Sequence, residues 1–408
     1  MRRVLSLFGL LLFVYYFWYT PRSFKFSKSP FYRLPKSLAT RDNALPPVLM
    51  LSSRLNFWGV YHTIEFPGGF LGFNPSLLPL PYVNDSTETV PNFAVVARGE
   101  DVFVSLDERH ELKPRSVLAS IIRIPEYSPR LLERSPPREL PIVPAPWVTR
   151  LKKVVHSETE VYFPKCDSLP EWIQNIPGPE DPRVFWSNLG EPLMIYNSIS
   201  PTHSPLCRVL YMEDLRRVFP TVRNILEEHG DAPPVRFNRS VPLIFEGQEG
   251  IHKNWLPFFR PNGDILIHLK LIPQTIYQMN LSRPLPHFDS PNDDLTSFLT
   301  PVVVEKDRRT NCLAIAHPGL KVHQSSPFLD VVLCTTTDVA NGLCDENDPN
   351  NHVYMAVINV VHNDLSPYYY EGRILTFNYS APYNYISFSE PIVYSKAPFL
   401  FVSWVTVY

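Results

Sequence analysis

Glycine is scarce in this chain and proline is abundant, with 15 and 44 residues respectively among 408. Proline cannot donate a backbone hydrogen bond, so prolines spread along the whole chain disfavour long helices and favour short elements joined by rigid loops. Charge is also sparse, because charged residues make up 19% of the chain and the formal net charge is −2. Nothing in this balance indicates a surface for nucleic acid or for an anionic membrane.

Cysteine pairs of the CxxC type are missing, which argues against a zinc ribbon or a thioredoxin-like motif. The odd number of cysteines leaves at least one outside any disulfide within the chain. Burial as small apolar side chains and pairing in one or two disulfides of an oxidising compartment both remain open. The five cysteines are Cys166, Cys207, Cys312, Cys334 and Cys344.

The uncharged apolar run at the N-terminus, Val4 to Trp18, follows Met1-Arg2-Arg3. It ends in bulky aromatic residues, whereas a cleaved signal peptide ends in small ones. Aromatic side chains are typical of a membrane interface. The run is short, since roughly 20 residues cross a typical bilayer, but thinner membranes accept shorter spans. We therefore predict an uncleaved type II signal anchor over residues 4–20, with a cytosolic tail at 1–3, in preference to a cleaved signal.

Features after the predicted anchor fit a chain in the secretory lumen. Residues 21–50 are rich in proline, serine and arginine and indicate a stem. Four sequons for N-glycosylation begin at Asn84, Asn238, Asn280 and Asn378, each of them a weak signal alone. We expect a Golgi or other secretory-pathway membrane location, with residues 51–408 forming a luminal globular domain.

Short β-branched and aromatic segments recur through this domain, with turn residues between them. Strands do not alternate with long helices, so a doubly wound α/β fold is disfavoured. The pattern predicts an all-β domain and leaves a sandwich pair, a large barrel and a propeller open. One short helix is predicted near Met212–Val218, ended by Pro220. The predicted strands include Phe93–Ala97, Val102–Leu106, Val117–Ile124, Leu193–Ile199, Ile265–Leu271, Val302–Glu305, Leu329–Thr335, Val353–Val361 and Phe399–Tyr408.

The segment Gly178–Arg183 places two adjacent carboxylates and an arginine in a proline-framed turn. In extended backbone Glu180 and Asp181 point to opposite sides. One can therefore face a substrate while the other anchors the loop to Arg183. Taken alone, the segment fits a surface turn with a local ion pair better than a catalytic site.

Three further segments could carry chemistry, although each alone fits a structural role better. His252-Lys253-Asn254-Trp255 precedes a hairpin whose turn is Asn262-Gly263, and there an ammonium could bind phosphate while an indole packs on a sugar ring. An apolar segment predicted as a strand, Leu313–Ala316, ends at His317. Three tyrosines, Tyr368–Tyr370, precede Glu371-Gly372-Arg373 and a further strand.

Taken in order, these four segments resemble the motifs of the five-bladed β-propeller mannoside phosphorylases and the related β-mannosyltransferases. The hallmark Gly-x-Glu-Asp-Pro-Arg matches Gly178–Arg183, and Phe73-Asn74-Pro75-Ser76 and Arg98 resemble the first blade. The resemblance runs from about residue 70 to the C-terminus, and the anchor and stem point to the fungal β-1,2-mannosyltransferases. Two departures stand out: residues 322–352 look inserted, and Asn254-Trp255 replaces an Asp-Ala-like pair.

The resemblance implies a five-bladed propeller and an inverting transferase that moves β-mannose from a nucleotide-activated donor, GDP-mannose, to a luminal mannoside or glycan acceptor. It implies that Asp181 is the sole catalytic carboxylate and acts as the base. No metal and no cofactor are expected. Because Arg239 lies inside the sequon at Asn238, we expect no glycan there. The residues implied to bind substrate or phosphate are Glu180, Arg183, Arg98, Asn74, Arg239, Lys253, His317 and Tyr370.

Two other functions remain open at this point. One is a phosphorylase that makes or breaks β-mannosides with mannose 1-phosphate and phosphate. The other is a propeller that binds glycans without catalysis.

Overall fold

The computed structural model describes residues 70–81, 92–101, 116–123, 132–140, 179–199, 206–230, 232–246, 248, 250–251, 253–282, 299–305, 311–316, 319, 321–362 and 369–392. The predicted anchor and stem lie outside these residues. No helix among the described residues is long and apolar enough to cross a membrane. Also outside them are Asn84, Cys166, His252, His317 and the predicted strands Val102–Leu106 and Phe399–Tyr408.

The described chain is all-β and forms a propeller-like arrangement of four sheets. In the first and third sheets each strand pairs antiparallel with the next strand along the chain, as in the blade of a propeller. The first sheet consists of β1 (Phe70–Leu80), β2 (Asn92–Asp101), β3 (Ser116–Arg123) and β4 (Leu132–Glu139). The third consists of β10 (Leu256–Phe259), β11 (Ile265–Lys270), β12 (Thr275–Met279) and β13 (Leu299–Val304).

The second and fourth sheets follow the same plan with one additional short strand each. In the second, β5 (Glu180–Trp186), β6 (Pro192–Ile199), β7 (Leu206–Asp214) and β8 (Val241–Pro242) run in order, and β9 (Gly250–Ile251) pairs parallel with β7. In the fourth, the order is β14 (Val322–Gln324), β16 (His352–His362), β17 (Tyr369–Asn378) and β18 (Tyr385–Phe388), while β15 (Leu329–Val332) also pairs with β16.

Apolar residues on both faces of the strands hold neighbouring sheets together. In β6, Met194 and Tyr196 belong to a core shared with the first sheet, whereas Leu193 and Ile195 belong to a core shared with the third. This division follows from the period of two along a strand, which sends successive side chains to opposite faces. The sequence of a strand that is buried on both faces is therefore a continuous apolar run.

Aromatic rings dominate the core between the third and fourth sheets. Phe258 of β10 contacts the rings of Phe328, Tyr354, Phe377 and Tyr383 edge-on, with centroids 4.9–5.7 Å apart. Edge-to-face contacts are a favourable geometry for aromatic pairs. The hairpin predicted at Asn262-Gly263 is confirmed, since β10 and β11 pair antiparallel and Gly263 has a φ of 90°.

The helix predicted near Met212–Val218 is confirmed for its last turn only, and the expectation that Pro220 ends the helical segment is wrong. A single turn, α1 (Leu215–Val218), follows β7 directly, and Pro220 begins the second helix, α2 (Pro220–Glu228). Proline suits the first position of a helix, because its fixed φ is helical and its missing N–H has no partner to lose there.

The strand predicted before His317 is also wrong, because the segment forms the short helix α3 (Cys312–Ala316). Asn311 stabilises its start, since the side-chain Oδ1 accepts hydrogen bonds from the backbone N–H groups of Leu313 and Ala314 at 3.1 and 3.2 Å. An asparagine cap of this kind favours a helix over a strand.

Residues 322–352, which look inserted relative to the phosphorylases, contribute strands to the fourth sheet. Their first part supplies β14 and β15 of the fourth sheet. The connection from β15 to β16 lies outside the sheet and holds α4 (Thr336–Ala340) and a 3₁₀ turn at Pro349–Asn351. A disulfide between Cys334 and Cys344 closes this connection, so disulfide pairing holds for two of the five cysteines.

Candidate active site

The first strands of the four sheets meet around one buried arginine. Arg183 of β5 donates to Asn254 Oδ1 at 3.1 Å, just before β10, and to the carbonyl of Ser325, just after β14. On the other side, the backbone N–H of Val184 in β5 donates to Ser76 Oγ of β1 at 2.9 Å. Long-range contacts of this kind bring polar side chains from all four sheets into one place.

Asp181 and Asn74 occupy matching irregularities in β5 and β1. The strand register shifts between Glu180 and Arg183 and between Phe73 and Ser76. Both residues have left-handed backbone, with φ of 48° for Asp181 and 50° for Asn74. Such backbone is unfavourable for a side-chain-bearing residue, and bulges of this kind re-aim side chains near active sites. Here they point the two side chains at each other, and Asn74 Nδ2 donates to Asp181 Oδ1 at 2.6 Å.

Asp181 is held as a carboxylate. Arg98 Nη1 of β2 donates to the same Oδ1 at 2.9 Å. The side chain of Arg98 is 17% exposed and that of Asp181 is 18% exposed. Burial alone would raise the pKa of Asp181, but Arg98, the Asn74 amide, Lys253 and Arg183 outweigh it and hold the pKa below its usual value. Asp181 is therefore ionised at neutral pH and still reachable from solvent.

Glu180, one residue earlier, has a different environment. Its side chain is buried and its Oε2 lies 3.2 Å from Arg208 Nη2 and 3.5 Å from Lys253 Nζ. Glu180 and Asp181 therefore differ: the first carboxylate is enclosed in ion pairs, and the second is partly exposed. Glu180 holds Lys253, whose own side chain is 36% exposed, beside Asp181.

Among the charged side chains that meet here, cations outnumber carboxylates. Burial lowers the pKa of Arg183 to about 10 and Asp181 opposes that shift, so the guanidinium stays charged at neutral pH. Burial likewise lowers the pKa of Arg208 to about 10. We define the first-strand cluster as Asn74, Arg98, Glu180, Asp181, Arg183, Arg208, Lys253, Asn254 and His323.

A chain of hydrogen bonds extends from Arg183 to a histidine at the edge of the cluster. Asn254 accepts from Arg183 through Oδ1, and its Nδ2 lies 3.0 Å from Nδ1 of His323 in β14. Partial burial, Arg183 and Lys253 all lower the pKa of His323, so the ring is neutral at neutral pH. Asn254 is the third cluster residue with left-handed backbone, at a φ of 60°.

The structure places the predicted site residues at different points. Asn74, Arg98, Glu180, Asp181, Arg183 and Lys253 meet in the cluster. Arg239 lies in the loop before β8, next to Ser240, and Tyr370 lies in β17 opposite Val361. His317 lies outside the described residues. Within the described residues, no three His, Cys, Asp or Glu side chains come together as a metal site.

Three members of the cluster were not predicted from sequence: Arg208, Asn254 and His323. Arg208 had a usable signal, because an arginine inside the apolar run Leu206–Met212 must be paired when the strand is buried. Asn254 lies in a segment that the sequence singled out, His252–Trp255, although no role was assigned to it. His323 had no signal, because its position depends on contacts between sheets.

Comparison with known proteins gives no family. No family model matches the chain, and no curated protein matches it. Among solved structures, an endo-arabinase from Bacteroides thetaiotaomicron matches at 10% identity with a TM-score of 0.34, over 81% of this chain and 84% of that one. A bifunctional GH43-CE protein of Bacteroides eggerthii matches at 8% identity with a TM-score of 0.34, over 78% and 28% of the two chains. A hypothetical protein from Leishmania major matches at 9% identity with a TM-score of 0.32, over 78% and 68%. At these scores the matches carry no argument about activity.

Proposed function

We propose that this protein is an inverting β-mannosyltransferase that uses a nucleotide-activated mannose, GDP-mannose, and a mannoside or glycan acceptor. The observation that carries the proposal is the environment of Asp181: one ionised, accessible carboxylate on strained backbone, beside Lys253 and Arg183. The choice of mannose as the transferred sugar rests on the resemblance of the ordered motifs to those of the mannoside phosphorylases and β-mannosyltransferases.

The proposed reaction is a single displacement. The acceptor hydroxyl attacks the anomeric carbon of an α-linked donor and forms the new C–O bond as the bond to the phosphate oxygen breaks. Asp181 takes the hydroxyl proton, directly or through a sugar hydroxyl, and the electron pair leaves with the nucleoside diphosphate. One displacement inverts the anomeric carbon, so the product is a β-mannoside.

The cations beside Asp181 suit the departing group. Fixed positive charge placed where negative charge develops stabilises a transition state, and more so away from bulk water. The partly exposed ammonium of Lys253 would contact the departing phosphate. The buried guanidinium of Arg183 would add positive charge nearby. Arg98 and Asn74 would keep Asp181 ionised and aimed.

A glycoside hydrolase fits this arrangement less well. An inverting hydrolase needs a second carboxyl group roughly 6.5–9.5 Å from the first, one of them protonated as an acid. The adjacent carboxylate, Glu180, is buried in ion pairs with Arg208 and Lys253. A phosphorylase remains the second candidate, because the same cations could hold inorganic phosphate.

The finer features of architecture and location are part of the proposal. A fifth blade would complete the propeller, with a signal anchor at residues 4–20 and a stem at 21–50. The catalytic domain would face the lumen of the Golgi or another secretory compartment. The disulfide between Cys334 and Cys344 agrees with an oxidising compartment.

The test uses the purified full-length protein with a panel of mannosides. GDP-mannose and mannose 1-phosphate are offered separately, product is followed by mass, and the new anomeric configuration is read by NMR. The proposal expects a β-mannoside from GDP-mannose alone. Product from mannose 1-phosphate alone would move the assignment to a phosphorylase. Glycan binding without turnover of either donor would leave a non-catalytic propeller.

A further inference from the structure

A fixed orientation of Asn254 determines where the proton of His323 lies. Arginine has only donors, so the atom of Asn254 that accepts from Arg183 must be the carbonyl oxygen. The amide nitrogen then faces Nδ1 of His323 at 3.0 Å, and because an amide nitrogen only donates, Nδ1 must accept. The proton of the neutral ring is therefore on Nε2.

His323 is placed to use that proton. Nδ1 is occupied by Asn254, and the described residues offer Nε2 no hydrogen-bond partner. The side chain is exposed at the edge of the first-strand cluster. The charged groups that act on it are Arg183 from β5 and Lys253 from the segment before β10, and both are cations. A ligand that suits this place is anionic and accepts hydrogen bonds.

We propose that His323 is a further substrate-binding residue, a neutral donor whose Nε2–H binds a phosphate oxygen of the glycosyl donor next to Lys253. This inference rests on the proposed function, because it names the phosphate of the same donor. Asn254 is the positioning residue. Its hydrogen bond from Arg183 fixes the orientation of its amide, and the amide nitrogen in turn sets the tautomer of His323.

A neutral donor has a specific advantage at this position. A third cation beside Arg183 and Lys253 would be repelled by both, whereas a neutral N–H adds a directed hydrogen bond without that cost. The wild-type contribution of His323 to donor binding should therefore not depend on pH near neutrality.

The test measures binding of GDP-mannose and of mannose 1-phosphate by calorimetry without acceptor, and the KM of each substrate in turnover. His323→Ala should weaken donor binding by roughly ten- to a hundredfold, as expected for a lost hydrogen bond to a charged group. The acceptor KM and the unfolding midpoint should not change. His323→Gln should restore most of the affinity, because glutamine can accept from Asn254 through Oε1 and still donate through Nε2.

Asn254→Asp gives a readout that a purely structural role would not change. The new carboxylate can only accept, so His323 must place a proton on Nδ1 and can donate from Nε2 only when doubly protonated. Donor affinity should then fall as pH rises through the pKa of His323, while wild-type affinity stays level over the same range.

The outcomes separate the two proposals. Wild-type protein that binds and transfers from a donor, with an unchanged donor affinity in His323→Ala, would overturn the role of His323 alone. Wild-type protein that binds neither donor would overturn the proposed function.

Discussion

Two charged clusters that include residues of the second sheet use the same residue types for different purposes. The first-strand cluster gathers its side chains from all four sheets. The second, the β7–α1 cluster, is Glu213, Asp214, Arg216 and Arg217, and its ion pairs join residues two and four apart in sequence. Local pairing balances charge where the chain turns from strand to helix. Long-range pairing instead holds a partly exposed carboxylate in a defined position.

The pKa shifts of two carboxylates show the same contrast. Burial dominates at Glu213 and raises its pKa, although Arg217 and the hydroxyl of Ser240 work against it. At Asp181 burial acts in the same direction, but Arg98, Asn74, Lys253 and Arg183 reverse it. A carboxylate whose pKa is shifted by burial and by specific charged partners is a candidate for a functional residue.

Backbone strain separates the clusters as well. Four described residues other than glycine have left-handed φ, and three of them, Asn74, Asp181 and Asn254, lie in the first-strand cluster. In the β7–α1 cluster, Asp214 has ordinary extended backbone and caps α1 through its side chain, which accepts from the N–H of Arg216 at 2.9 Å. Strain gathered at one polar site supports a functional role there.

The largest effect on stability is expected in the β7–α1 cluster. Asp214→Asn keeps a capping oxygen but leaves the buried charge of Arg216 without its carboxylate. Breaking a buried pair in this way costs about 3–5 kcal/mol of unfolding free energy. Denaturant unfolding measures the loss, and activity per folded molecule should stay at the wild-type level. A large loss of activity in the folded variant would contradict the separation of the two clusters.

A smaller loss of stability is expected on opening the disulfide that closes the connection from β15 to β16. Cys334 and Cys344 are ten residues apart, and a loop of that length is worth about 3 kcal/mol or less through the entropy of the unfolded chain. The double replacement Cys334→Ser and Cys344→Ser should lower the unfolding free energy by up to that amount. The KM for the donor is the control, and a marked rise would link this loop to the site.

The smallest expected difference between the two clusters is in the pH dependence of kcat/KM. Arg98→Met removes a cation that lowers the pKa of Asp181, so that pKa rises. The carboxylate is then ionised only above a higher pH, and the acid limb of kcat/KM moves up in pH. Arg217→Met, in the β7–α1 cluster, is the matched control and should leave that limb in place. Equal shifts in both variants would indicate a general effect of charge.

The sequence predicted much of the fold because burial on both faces leaves a visible pattern. Apolar runs such as Leu193–Ile199 predicted β6, and Asn262-Gly263 predicted the hairpin of β10 and β11. The errors at Pro220 and at Leu313–Ala316 came from capping, where one residue decides whether a short segment starts a helix. The irregularities at Asn74 and Asp181 could not be predicted, because contacts between sheets impose their left-handed backbone.

The candidate site was predictable only as a set of residues. The motif Gly178–Arg183 indicated that Glu180 and Asp181 would differ, but only the fold shows that Arg208 and Lys253 enclose Glu180. His323 and Asn254 could not be identified from spacing, since 69 residues separate them. Whether the residues brought together act on a β-mannoside is still a prediction.

The most direct test is turnover of GDP-mannose with a mannoside acceptor by Asp181→Asn beside the wild-type protein, at equal concentrations of folded protein. Loss of a positioned base lowers kcat by about 10²–10⁴-fold. Asparagine keeps the size of the side chain and can still accept from Asn74 through Oδ1, so the folded variant should still bind the donor, although the lost ion pair with Arg98 lowers the unfolding midpoint. A variant that folds, binds the donor and transfers mannose at the wild-type rate would contradict the role of Asp181 and the proposed mechanism with it.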